Sequence, residues 1–79
     1  MNKEEKEYLE LVEHYLLLNP KYSALEIINK IERQHPKLDS KLKGLYEKEE
    51  MTDSEITGVL MGIIYKAKFH IKKENKMVD

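Results

Sequence analysis

The stretch that opens at Thr52 admits few structures. Thr52 and Glu55 have the spacing of a capping box. In that motif the Thr side chain accepts the amide three residues on, and the Glu side chain accepts the Thr amide. Behind the box, Ile56, Val59, Leu60, Ile63, Ile64, Ala67 and Ile71 recur every three or four residues, the period of one helix face. The spacing predicts a helix to about Lys73. Gly58, Met61, Gly62, Tyr65 and Phe69 fall on a second, nearly opposite face of the same helix. A helix apolar on two sides calls for two partners, and a chain of 79 residues has little else with which to cover both.

The remaining segments repeat the helical period between clear stops. Helix 1 is predicted over Lys3 to Leu18, with Tyr8, Leu9, Val12, Tyr15 and Leu16 on one face and Leu11 at its border. Asn19-Pro20 ends it, because proline cannot continue the ladder and restrains the residue before it. A second capping box, Ser23 and Glu26, opens helix 2, which buries Ala24, Ile27, Ile28 and Ile31 and stops at His35-Pro36. Helix 3 is predicted over Leu38 to Lys48, short or irregular, with Leu38, Leu42, Leu45 and Tyr46 on one side. Gly44 costs it about 1 kcal/mol relative to Ala. No segment alternates with the period of a strand. The pattern predicts an all-α fold: a small antiparallel bundle of four helices in one domain, 1–79, with 74–79 a frayed tail. Ile27, Ile31, Leu42, Val59, Leu60 and Ile63 are expected in one core.

Charge suggests a topology. Glu4, Glu5, Glu7 and Glu10 crowd the start of helix 1, and Lys66, Lys68, Lys72 and Lys73 crowd the end of helix 4. Each sign suits the helix dipole at its end. An up-down-up-down bundle would set these two ends side by side.

Several function classes are excluded or disfavoured. The chain has no cysteine, which excludes disulfides, thiolate chemistry and zinc ribbons and fits a cytoplasmic protein. The start, Met1-Asn2-Lys3-Glu4-Glu5, lacks the apolar core of a signal peptide. The longest apolar run, Val59 to Tyr65, falls far short of the roughly 20 residues of a membrane span. His14, His35 and His70 are scattered, and only Glu32 and His35 form a Glu-x-x-His pair. Di-iron bundles need that motif twice, with a Glu from each of two further helices. No metal or cofactor is expected. Ser23, Thr52 and Ser54 belong to helix starts, and Ser40 and Thr57 have no adjacent base. The sequence therefore predicts a non-catalytic protein.

Binding is the function that remains. The second apolar face, Gly58, Met61, Gly62, Tyr65 and Phe69, is read as the contact for a protein partner or for a second copy. Glycines four apart open a groove for close approach, either by helix 1 or helix 2 in an internal crossing or by a docked partner, for which aromatic side chains supply anchors and Met adapts to what it meets. The alternative reading is a nucleic-acid accessory protein that uses Lys66, Lys68, Lys72 and Lys73 on phosphates. A formal net charge of −1 and a single arginine weigh against it, since Arg makes most bidentate base contacts. In its cysteine-free helical pattern, its Asn19-Pro20-Lys21-Tyr22-Ser23 segment before helix 2 and its basic last helix, the chain resembles bacteriocin immunity proteins. That resemblance implies a small helical regulator, inhibitor or immunity-type factor acting by binding.

Overall fold

The computed structural model describes residues 1–78, and side chains as far as Lys72. It holds four helices: α1 (Lys3–Leu18), α2 (Ala24–Gln34), α3 (Pro36–Lys48) and α4 (Asp53–Val78). There is no strand among the described residues. The frayed tail expected over 74–79 falls on residues whose side chains lie outside the described residues, as does the backbone of Asp79.

Local chemistry sets the boundaries. Three helices open with reciprocal capping boxes. The Asn2 Oδ1 accepts the Glu5 N–H at 2.8 Å, and the Glu5 Oε1 accepts the Asn2 N–H at 3.0 Å. Ser23 with Glu26 and Thr52 with Glu55 repeat the exchange. These boxes satisfy amides that have no partner inside the first turn. α3 starts at Pro36, two residues earlier than Leu38, and runs regularly for 13 residues. Proline fits the first helical position because its missing N–H would find no partner there anyway. His35 thus closes α2 and opens α3.

α3 ends in a Schellman turn without a glycine. The Glu50 N–H donates to the Glu47 carbonyl at 2.9 Å and the Met51 N–H to the Tyr46 carbonyl at 3.2 Å. Glu50 sits at φ 61°, the left-handed conformation this motif requires and glycine adopts most cheaply. Half-buried Met51 packs on the core just beyond it, the apolar contact that accompanies such a cap.

α1 and α2 each pack against both α3 and α4, while α3 and α4 scarcely touch each other. The core collects Tyr8, Val12 and Leu16 from α1, and Ala24, Ile27, Ile28 and Ile31 from α2. Leu42 and Tyr46 of α3 and Ile56, Leu60, Ile63, Ile64 and Ala67 of α4 complete it. Five of the six core residues named from spacing are buried; Val59 is half-buried, at the edge of its stripe.

The charge-based neighbour assignment is corrected by the structure. The acidic start of α1 turns to α3: Glu4 pairs with Lys41 at 3.3 Å, and Glu5 accepts the Tyr46 hydroxyl at 2.7 Å. His35, just before α3, meets Tyr15 edge-on with ring centres 6.5 Å apart, so α1 and α3 are antiparallel. The basic end of α4 lies by the end of α1 instead, where Leu16 and Pro20 share a cleft with Lys68, Ile71 and Lys72. Dipole preference explains the sign of charge at each helix end but does not choose the neighbour.

Candidate functional site

α4 carries the two faces that its spacing predicts, and the bundle covers one of them. Ile56, Leu60, Ile63, Ile64 and Ala67 are buried against α1 and α2. On the other side Tyr65 remains 55% exposed and Phe69 66% exposed. Gly58 and Gly62 are exposed, and a Cβ built on either meets no atom within 4 Å. Neither glycine therefore marks a close internal helix crossing. Met61 is half-buried and packs against the core, bridging the two faces. All five residues expected at a contact surface thus lie on one side of one helix, open in front of the glycines and aromatic beyond them.

The lysines expected to contact phosphate do not form one patch. Residues two apart on a helix point about 200° apart, so Lys66 and Lys68 flank the apolar face on different sides. Lys66 lines a cleft with Lys6, Leu9, Glu13 and His70. Lys68 and Lys72 line the cleft with Leu16, Pro20 and Ile71. The Lys73 side chain lies outside the described residues. Two separated basic flanks make a poorer phosphate track than a continuous stripe.

A buried polar cluster between α1 and α3 has no counterpart in the sequence reading. Asp39 is 5% exposed and its Oδ2 accepts Lys43 at 2.9 Å, while Lys43 also approaches Glu32 at 3.5 Å. Burial opposes the charge of Lys43, but hydrogen bonds and attraction from Asp39 and Glu32 outweigh it and raise its pKa. The Tyr8 hydroxyl and the Asp39 Oδ1 are buried without a hydrogen-bond partner among the described residues. Burial first, then the negative charges of Asp39 and Glu32, push the Tyr8 phenol well above its usual range. Asp39 and Lys43 are an i,i+4 pair, the only trace of this cluster readable in advance. Their meeting with Tyr8 and Glu32 is tertiary.

The Glu-x-x-His pair is likewise divided: Glu32 turns to Lys43 and His35 to Tyr15. Among the described residues no three His, Asp or Glu side chains gather as metal ligands, and no helix is long and apolar enough to cross a membrane. Leu17 and Leu18 of α1 and Leu25 of α2 are further large apolar side chains left exposed. Compared with known protein families, with curated proteins and with solved structures, the chain matches none.

Proposed function

We propose that this chain is a non-catalytic protein-interaction module, a small regulator, inhibitor or immunity-type factor, that binds through the outward face of α4. One observation supports it above the others. Tyr65 and Phe69 project from a helix anchored by its opposite side, beside two glycines with open space before them. Large exposed aromatics aligned on one helix face are costly to leave in water and are typical anchors of protein contacts. The anchoring helix is held by the core and so loses little freedom on binding.

Phe69→Glu tests the reading, because a side chain so exposed can be replaced without loss of the fold. The parent and the variant are compared for thermal melting, for self-association and for capture of proteins from the native host identified by mass spectrometry. Loss of association at an unchanged melting temperature supports the proposal. Association that survives the substitution sinks it. Salt separates the nucleic-acid alternative: an apolar contact is weakly salt-dependent, whereas phosphate binding falls steeply as salt rises.

A further inference from the structure

The outward face of α4 has a charge pattern that selects its occupant. Glu55 lies near the start of this face and Lys66 near its end, and both project from the same flank. Eleven positions separate them, so they point to within about 20° of each other around the axis and sit roughly 16 Å apart along it. Lys68 and Lys72 border the opposite flank. Asp53 is turned away, lining a cleft with Lys43 and Glu47 of α3. The face is thus acidic at one end and basic at the other along a single edge.

We infer that the occupant of this face is a second copy of the same chain, packed antiparallel across a two-fold axis close to Gly62. The inference rests on the proposed binding role of the face and names its partner. In that arrangement Glu55 of each copy lies within about one helical turn of Lys66 of the other along the seam, and symmetry forms the pair twice. Tyr65 of one copy lies over Gly58 and Gly62 of the other, where no side chain obstructs it. A parallel two-fold pairing matches poorly, because it brings Lys66 of each copy toward Lys68 and Lys72 of the other. Antiparallel packing also opposes the two helix dipoles favourably.

The absence of cysteine makes the test direct, since an introduced thiol is the only one present. Gly62→Cys places two thiols across the axis, within the roughly 7 Å between Cα atoms that a disulfide tolerates. It should oxidise to a covalent dimer. Phe69→Cys places them roughly 21 Å apart in the antiparallel seam and should not link to itself. Sedimentation of the parent should show a dimer. Lys66→Glu should weaken it roughly 3- to 30-fold, as loss of two partly exposed ion pairs would, and adding Glu55→Lys should restore it. A melt of each variant separates lost association from lost folding. Self-linking of Phe69→Cys as readily as Gly62→Cys overturns the antiparallel seam, as does a charge swap that fails to rescue a folded double variant. A parent that stays monomeric at millimolar concentration overturns the second copy as occupant. In that event the broader reading stands if Phe69→Glu abolishes capture of another protein, and it falls with the dimer if Phe69→Glu changes nothing.

Discussion

The two faces of α4 are both apolar and meet opposite environments. The inward side, Ile56, Leu60, Ile63, Ile64 and Ala67, disappears into the core, whereas Tyr65 and Phe69 on the outward side remain more than half exposed. The inward side is aliphatic and interlocks with α1 and α2, where close packing rewards shape. The outward side sets two glycines before two aromatic rings, a poor composition for a core and a good one for a surface that receives another body. Hydrophobicity alone does not separate the two. α1 and α2 cover one side of α4, and half-buried Met61 and Val59 mark the edges of that cover.

The largest expected difference between the faces is in stability. Leu60 is 1% exposed at the centre of the inward side, and Leu60→Ala should cost about 2–5 kcal/mol through lost transfer energy and a residual cavity. In so small a domain that approaches the whole stability margin. Urea titration of the two proteins measures it, and superimposable unfolding curves would break the distinction between the faces.

A sharper question is whether burial by itself sets such costs. Tyr46 and Tyr8 are both buried, but the Tyr46 hydroxyl donates to Glu5 at 2.7 Å while that of Tyr8 finds no partner among the described residues. Tyr46→Phe should cost about 1.5–3 kcal/mol, the range of a hydrogen bond to a charged group, and lies toward the lower end because Glu5 is partly exposed. Tyr8→Phe should be neutral or stabilising, since it removes a buried hydroxyl that nothing satisfies. Acid adds a second readout. The Asn2 amide first, then the Tyr46 hydroxyl, hold the Glu5 carboxyl below its ordinary value of 4.5. Between the folded and unfolded values the unfolded chain binds the extra proton. The contribution of Glu5 is therefore present above about pH 4.5 and lost as pH falls through the folded value. Tyr46→Phe should shrink that acid-dependent loss. Equal costs for the two tyrosine substitutions would show that burial alone decides.

How much of this was legible in advance follows from which forces are local. Helical period and caps act within a turn, so α2 and α4 could be read from Ser23-Glu26 and Thr52-Glu55 and from the apolar positions behind them. The Asn2-Glu5 box obeys the same rule with asparagine in place of serine or threonine. The start of α3 at Pro36 follows from proline's other role, as an opener rather than a stop. The outward face of α4 was visible as a second stripe, but its exposure depends on how far the other helices reach. The contact of Glu4 and Glu5 with α3, and the gathering of Tyr8, Asp39 and Lys43, arise from packing between segments far apart in sequence. No periodicity encodes those.

On the outward side of α4 the sign of a substitution should reverse. Gly58 and Gly62 lie mid-helix with open space before them, so Ala at either removes the entropic cost of glycine without a clash. Each change should raise the stability of the monomer by about 1 kcal/mol, measured by urea at low protein concentration. A loss of stability would mean that these positions are packed, erasing the contrast with Leu60.

The smallest expected effect is at Phe69, and it separates the folding role of a side chain from its binding role. At 66% exposed, Phe69 contributes little to the core, so Phe69→Ser should change monomer stability by no more than about 0.5 kcal/mol. Association should respond differently. A dimer binds the folded state and not the unfolded one, so the melting temperature of the parent should rise with protein concentration by mass action. That rise should vanish in Phe69→Ser while the low-concentration melt stays in place. The same substitution on the inward side could not give this result, because there folding and contact are one event. A concentration-dependent melt that persists unchanged in Phe69→Ser would place self-association elsewhere, with exposed Leu17, Leu18 and Leu25 the next surface to alter.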